Sequence, residues 1–176
     1  EDADLDGART GFETDPSSLD TDGDGLQDGL ESGVSALDVG SGTDISIFTP
    51  DTDPSTTTDP LAPDSDSDGL TDGAEDVNAD GAWVATIGGT GTPGVGESDP
   101  NEPDTDLDGL DDGEEVLGQD AMEATGDETS PVDTDSDDGG VDDGEEVTNG
   151  TDPTDGADDL GPTDADGDGL TFDEET

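Results

Sequence analysis

The stretch Asp20-Thr21-Asp22-Gly23-Asp24-Gly25-Leu26-Gln27-Asp28-Gly29-Leu30-Glu31 puts acids at the first, third, fifth, ninth and twelfth positions of a loop, with glycine at the sixth. Carboxylates on alternate residues of a tight turn can point at one centre. A hard divalent cation such as Ca²⁺ takes six to eight oxygens at about 2.3–2.6 Å. Glycine at the sixth position permits the sharp turn, and the carbonyl of the seventh residue, here Leu26, joins the sphere. The glutamate at the twelfth can bind through both oxygens.

The frame recurs along the chain. It fits 64–75, with Asp64, Asp66, Asp68, Leu70, Asp72 and Glu75, and 104–115, with Asp104, Asp106, Asp108, Leu110, Asp112 and Glu115. At 2–13 it reads Asp2, Asp4, Asp6, Ala8 and Glu13, with Thr10 at the ninth position. At 164–175 it reads Asp164, Asp166, Asp168, Leu170 and Glu175, with Phe172 at the ninth. The copy at 135–146 keeps Asp135, Asp137, Val141, Asp143 and Glu146 but has Gly139 in place of the third acid, for which Asp133 is the candidate substitute. A degenerate copy, 76–97, starts Asp76, Asn78, Asp80, Gly81 and closes on Glu97 after an inserted stretch. A solvated low-complexity tail would scatter its acids among all offsets. It would not repeatedly put glycine after the third aspartate and glutamate six residues later.

These loops need something to space and order them. The linkers share Thr/Ser-Asp-Pro at 14–16, 52–54, 58–60, 98–100 and 151–153. Proline fixes its own backbone and biases the preceding residue toward extended structure. Asp15, Asp99 and Asp152 of these linkers are then either ligands just outside a loop or formers of Asx turns. The stretches after the ninth positions, Asp28–Ser32, Asp72–Val77, Asp112–Leu117 and Asp143–Val147, predict helical turns too short to be stable alone. The inserts at 33–50 and 82–96 hold the only strand-like runs, Asp44–Thr49 and Ala82–Ile87. These predict a small β patch with Trp83, Phe48 and Ile87 as its core. The leucines at the seventh positions are expected to pack between adjacent loops.

Composition narrows the chemistry further. Among 176 residues there are 55 acids and one base, Arg9, giving a net charge of −54. Leu, Ile, Val and Phe together make 27 residues, too few for an ordinary hydrophobic core to offset the entropy of ordering. The chain is therefore either disordered or folded by bound positive charge. Lys, His, Cys and Tyr are absent. That excludes disulfides, thiolate or imidazole zinc sites, and nucleophilic triads. One cation cannot neutralise phosphates, so nucleic acid is excluded as a partner. No apolar run is long enough for a membrane span. With neither an initiator Met nor a signal peptide, the chain is expected to be a mature or excised piece of something larger.

The pattern Asp-x-Asp-x-Asp-Gly-Leu-x-Asp-Gly-x-Glu with Thr-Asp-Pro linkers resembles the thrombospondin type 3 repeat. The lack of cysteine and the run Asp-Gly-Gly-Val-Asp-Asp-Gly-Glu-Glu at 138–146 look like the form found in large prokaryotic surface and secreted proteins. The resemblance covers nearly the whole chain apart from the inserts. It implies a single array, 1–176, of about six calcium loops: a mostly irregular, calcium-stapled, elongated tandem repeat with isolated helical turns and a few short β-strands from the inserts. It further implies that the first, third, fifth and twelfth acids are ligands. Dockerin loops are a weaker match, since they need paired helices that the sequence does not show.

The function expected from these features is that of a calcium-rigidified spacer, stalk or filament-forming segment outside the cell or on its surface. Several Ca²⁺ ions are its cofactors, and copies of itself or other surface proteins or glycans are its candidate partners. A calcium-dependent binding module that uses the inserts is the alternative. Enzymatic activity is not expected, because three Phe and one Trp cannot line a water-excluding pocket among so many carboxylates.

Overall fold

The computed structural model describes residues 13–83, 97–118, 128–157 and 159. The loops at 2–13, except Glu13, and at 164–175 lie outside the described residues, as does Ile87. Two compact units divide the described chain: 13–83 with 97–103, and 104–118 with 128–157 and 159.

Four short helices are present among the described residues: α1 (Asp28–Glu31), α2 (Asp72–Glu75), α3 (Asp112–Leu117) and α4 (Asp143–Asn149). Each starts on the aspartate at a loop's ninth position and carries the glutamate at its twelfth. The predicted helical turns are all there, with α1 and α2 shorter than expected and α4 longer. Each N-cap residue is extended and makes no side-chain cap bond. The ninth-position aspartate instead ties the first turn back to its loop. Its N–H reaches the carbonyl just ahead of the loop, as in Asp28 to Leu19 (2.9 Å), Asp72 to Pro63 (3.2 Å) and Asp143 to Thr134 (2.9 Å).

The interior of these units is unusual. The buried hydrophobic residues among those described are Leu26, Leu30, Leu70 and Leu110. Three of them are the seventh-position leucines expected to pack. Beside them lie carboxylates: Asp72, Glu75, Asp112, Glu115, Asp143 and Glu146 are all 0 % exposed. Leu30 and Glu31 are neighbours on α1, both 2 % exposed. Apolar burial therefore contributes little, and the helices form around charged groups that need a counter-charge.

Residues 84–87 of the predicted β patch lie outside the described residues, and its other run is not a strand. Asp44–Thr49 is a turn, in which Asp44 Oδ1 accepts both the N–H (3.0 Å) and the hydroxyl (2.6 Å) of Ser46 while its carbonyl accepts the N–H of Ile47 (3.0 Å). The alternating apolar pattern loses to this local side-chain competition. Phe48 packs on α1, where a Cβ on Gly29 would stand 2.5 Å from its ring. Trp83 instead lines a small cavity with Leu26, Leu30 and Pro100. The β pairing among the described residues is a single parallel bridge between Ser35 and Asp51.

Candidate metal centre

Each loop is a cage built from its own backbone. The first aspartate accepts N–H bonds from the fourth residue, at 2.6 Å for Gly23 to Asp20 and Ser67 to Asp64 and 2.7 Å for Leu107 to Asp104. The fifth aspartate accepts the N–H of the seventh residue, at 2.8 Å for Leu26 to Asp24 and 2.7 Å for Leu70 to Asp68. This wrapping needs a left-handed backbone at the fourth and sixth positions. Gly25, Gly69, Gly109 and Gly140 supply the sixth with φ between 103° and 114°. The fourth has φ of 88° at Gly23, 70° at Ser67, 68° at Leu107 and 61° at Asp138, so three non-glycine residues accept a strained conformation to keep the turn.

The result brings the predicted acids together. Asp20, Asp22 and Asp24 offer oxygens within 4.8 Å of one another, as do Asp64, Asp66 and Asp68, and Asp104, Asp106 and Asp108. Several such clusters could hold metal ions. The third-position oxygens Asp22 Oδ2, Asp66 Oδ2 and Asp106 Oδ2 are buried without a hydrogen-bond partner, as are Glu31 Oε2 and Glu115 Oε2 at the twelfth. The donor set is oxygen only, which suits hard cations and not thiophilic ones.

The ninth aspartate also ties its loop together. Asp28 takes the N–H (2.7 Å) and hydroxyl (2.8 Å) of Thr21 in its own loop, and Asp72 takes those of Ser65, both at 2.7 Å. Thr105 serves Asp112 in the same way, at 2.8 and 2.6 Å, and the Ser136 N–H serves Asp143 at 2.9 Å. Asp72 also lies within 4.8 Å of Asp24 and Glu31, the fifth and twelfth acids of the preceding loop. Neighbouring loops are thus joined through carboxylates. Asp24 Oδ2 accepts the Gly73 N–H at 2.8 Å, and Asp108 Oδ2 accepts the Gly144 N–H at 3.1 Å. Only glycine fits there: a Cβ on Gly73 would be 2.5 Å from the Asp24 carbonyl oxygen, and one on Gly144 2.5 Å from that of Asp108.

The linkers have two jobs. Their aspartates form Asx turns: Asp15, Asp53, Asp59, Asp99 and Asp152 each accept the N–H two residues on, at 2.9 to 3.1 Å. The Asx turn, one of the two alternatives for Asp15, Asp99 and Asp152, is therefore present at all three. Their hydroxyls orient the twelfth glutamates. Thr58 donates to Glu31 Oε1 at 3.2 Å, Ser98 to Glu75 Oε1 at 3.0 Å and Thr129 to Glu115 Oε1 at 3.0 Å. Thr58 and Ser98 each stand before an Asp-Pro pair, whereas Thr129 precedes Ser130-Pro131, so the linker pattern marks two of these three hydroxyls.

In the incomplete loops, acids from outside the repeat frame stand against the loop glycines. In 135–146, the acid that stands against Gly139 is Asp159, and the Asp133 N–H donates to the Ser130 carbonyl at 2.9 Å. A Cβ on Gly139 would fall on Asp159 Oδ2, far inside van der Waals contact. The Asp159 carboxylate thus stands where a fifth-position side chain would be. Both its oxygens, and both of Glu146, are buried without a hydrogen-bond partner. In 76–97, Asn78 Nδ2 donates to Glu97 Oε1, and the Asp51 carboxylate lies against Gly81.

Packed carboxylates raise one another's proton affinity. Burial first, then Asp22 and Asp24, push Glu31 up to about 8. Burial, then Asp106 and Asp108, push Glu115 to about 10. Burial, then Asp159, push Glu146 to about 8, and burial with Asp108 pushes Asp106 to about 7. A raised carboxyl stabilises the fold below its unfolded value, near 4.5 for a glutamate, and that contribution is lost as pH rises through the folded value. With protons as the sole counter-charge, the helical turns are therefore expected to weaken between about pH 4.5 and 10. A bound cation replaces those protons, so binding near neutral pH is expected to release them. Calorimetry in two buffers of different ionisation heat measures that release.

No protein-family model, curated protein or solved structure matches the chain. Among the described residues no helix is long and apolar enough to cross a membrane.

Proposed function

We propose that the chain is a calcium-binding repeat region that serves as a calcium-rigidified spacer, stalk or filament-forming segment of an extracellular or cell-surface protein. One observation carries this reading: the same acidic cage recurs in successive loops, each closed by a buried glutamate, in a chain whose single basic residue is Arg9. The resemblance to thrombospondin type 3 repeats supports the same reading. Calcium is the hard cation that best suits six to eight carboxylate and carbonyl oxygens in flexible loops. Weak sites of ~10⁻⁴ M, the range of extracellular modules, fill in a calcium-rich exterior and stay empty in cytosol.

A second reading, a calcium-dependent adhesion or binding module, draws support from the insert 33–50. Its Leu37, Ile45 and Ile47 are 95 %, 72 % and 55 % exposed. Deleting the inserts 33–50 and 82–96 separates the two readings. A spacer keeps its calcium-dependent length in small-angle scattering after the deletion, whereas a binding module loses its partner. Scattering that shows no elongated particle in calcium, with or without the inserts, contradicts the spacer.

A further inference from the structure

We propose that the degenerate loop beginning at Asp76 is a cation site whose missing acid is supplied by Asp51, so that an ion bound there fastens the linker and insert before it to the repeat. The inference rests on the cation-binding reading of the complete loops and adds to the degenerate copy a ligand, Asp51, that the repeat pattern does not assign.

The loop has the backbone of the others. Ala79 and Gly81, its fourth and sixth residues, have φ of 53° and 79°. Asp76 Oδ2 accepts the Gly81 N–H at 2.7 Å, and Asp80 Oδ1 accepts the Ala82 N–H at 3.0 Å. Asn78 at the third position is neutral, and no acid stands at the twelfth. The loop's own acids are therefore Asp76 and Asp80, joined by Glu97 through Asn78.

Asp51 changes that count. It is 4 % exposed, as is Asp76. Its Oδ1 accepts the Asp53 N–H at 2.7 Å, and its Oδ2 is buried with no hydrogen-bond partner. The carboxylate lies against the loop at its glycine, since a Cβ on Gly81 would be 2.6 Å from Asp51 Oδ1 and 2.8 Å from its Cγ. The negative charges of Asp53, Asp80 and Asp76 lie close enough to act on it. A buried aspartate with an idle oxygen, facing two further aspartates and no base among the described residues, has the chemistry of a cation ligand.

The backbone shows why Asp51 is held there. Its N–H donates to the Val34 carbonyl at 3.0 Å, and the Thr52 N–H donates to the Asp80 carbonyl at 2.9 Å. Thr56 Oγ1 donates to the Gly81 carbonyl. Residues 34–35, 51–56 and 76–81 therefore meet at this one loop, and an ion would lock all three.

The test uses the full chain with Asp51→Asn, which keeps the Asp53 bond, and with Glu31→Gln as a comparison at a complete loop. Calcium bound at equilibrium dialysis is counted, and terbium emission sensitised by Trp83, the chain's one tryptophan, reads the neighbourhood of Gly81. Asp51→Asn is expected to lose one ion, with affinity at that site down roughly ten- to hundredfold and the other sites unchanged. Its order in chelator should be no worse than wild type, because a repulsive charge is gone. If Asp51→Asn binds as wild type while Glu31→Gln loses an ion, the Asp51 site is overturned and the proposed function stands. If Asp51→Asn is equally disordered in chelator and calcium, Asp51 is structural and the site is overturned. If the wild-type chain binds no calcium, both fall.

Discussion

Moved from millimolar calcium into chelator, the chain is expected to lose the far-ultraviolet signal of its helical turns and swell toward the ~44 Å radius of gyration of an unfolded chain of this length. The reason is the make-up of the interior. Four leucines are the buried hydrophobic residues among those described, against at least six carboxylates at 0 % exposure. With calcium at one hundred times the site Kd, each ion contributes roughly 2.7 kcal/mol. Six such sites come to about 16 kcal/mol, as large as the whole net stability of an ordinary domain. Limited proteolysis gives an independent reading: cleavage between loops should be slow in calcium and fast in chelator. A chain with the same circular dichroism and protease resistance in both conditions would not be held together by cations.

The second large effect concerns the loop at 135–146. Gly139→Ala should cut calcium affinity at this loop by roughly ten- to hundredfold, although alanine is small and Gly139 has no left-handed φ to protect. The new methyl group falls where Asp159 Oδ2 stands and expels the borrowed acid. Asp159→Asn should cause a loss of similar size by removing the charge. Gly139→Asp restores a fifth-position acid within the loop, and in that background Asp159→Asn should have almost no effect. This non-additivity in a double-mutant cycle is the signature of one ligand replacing another. Equal effects of Asp159→Asn in both backgrounds would mean that Asp159 has no place in the loop.

Much of the site was legible because a single loop encodes it locally. Alternate aspartates, a glycine at the sixth position and a glutamate at the twelfth describe one turn of chain. The convergence of Asp20, Asp22 and Asp24 follows from that turn alone. The helical turns and the buried Leu26, Leu70 and Leu110 were legible for the same reason. Long-range features were not. Asp51 and Asp159 are single aspartates in an aspartate-rich chain, and nothing local marks them as neighbours of a distant loop. Asp72 keeps its loop spacing but reaches Asp24 and Glu31 because Gly73 lets two loops approach closely. Asp44–Thr49 reads as a strand by alternation, yet Asp44 caps its own turn through Ser46. In each case a side chain acts on backbone or on a site that the sequence period does not contain.

Counting calcium ions bound per chain at equilibrium dialysis, across a range of free calcium, tests the central claim most directly. The account predicts saturation at a whole number of about five or more ions, one for each of the loops starting at 20, 64, 76, 104 and 135 and further ions for those at 2 and 164. Uptake that rises gradually without saturating and vanishes with added salt would mean that the acids only gather counter-ions, and would contradict it.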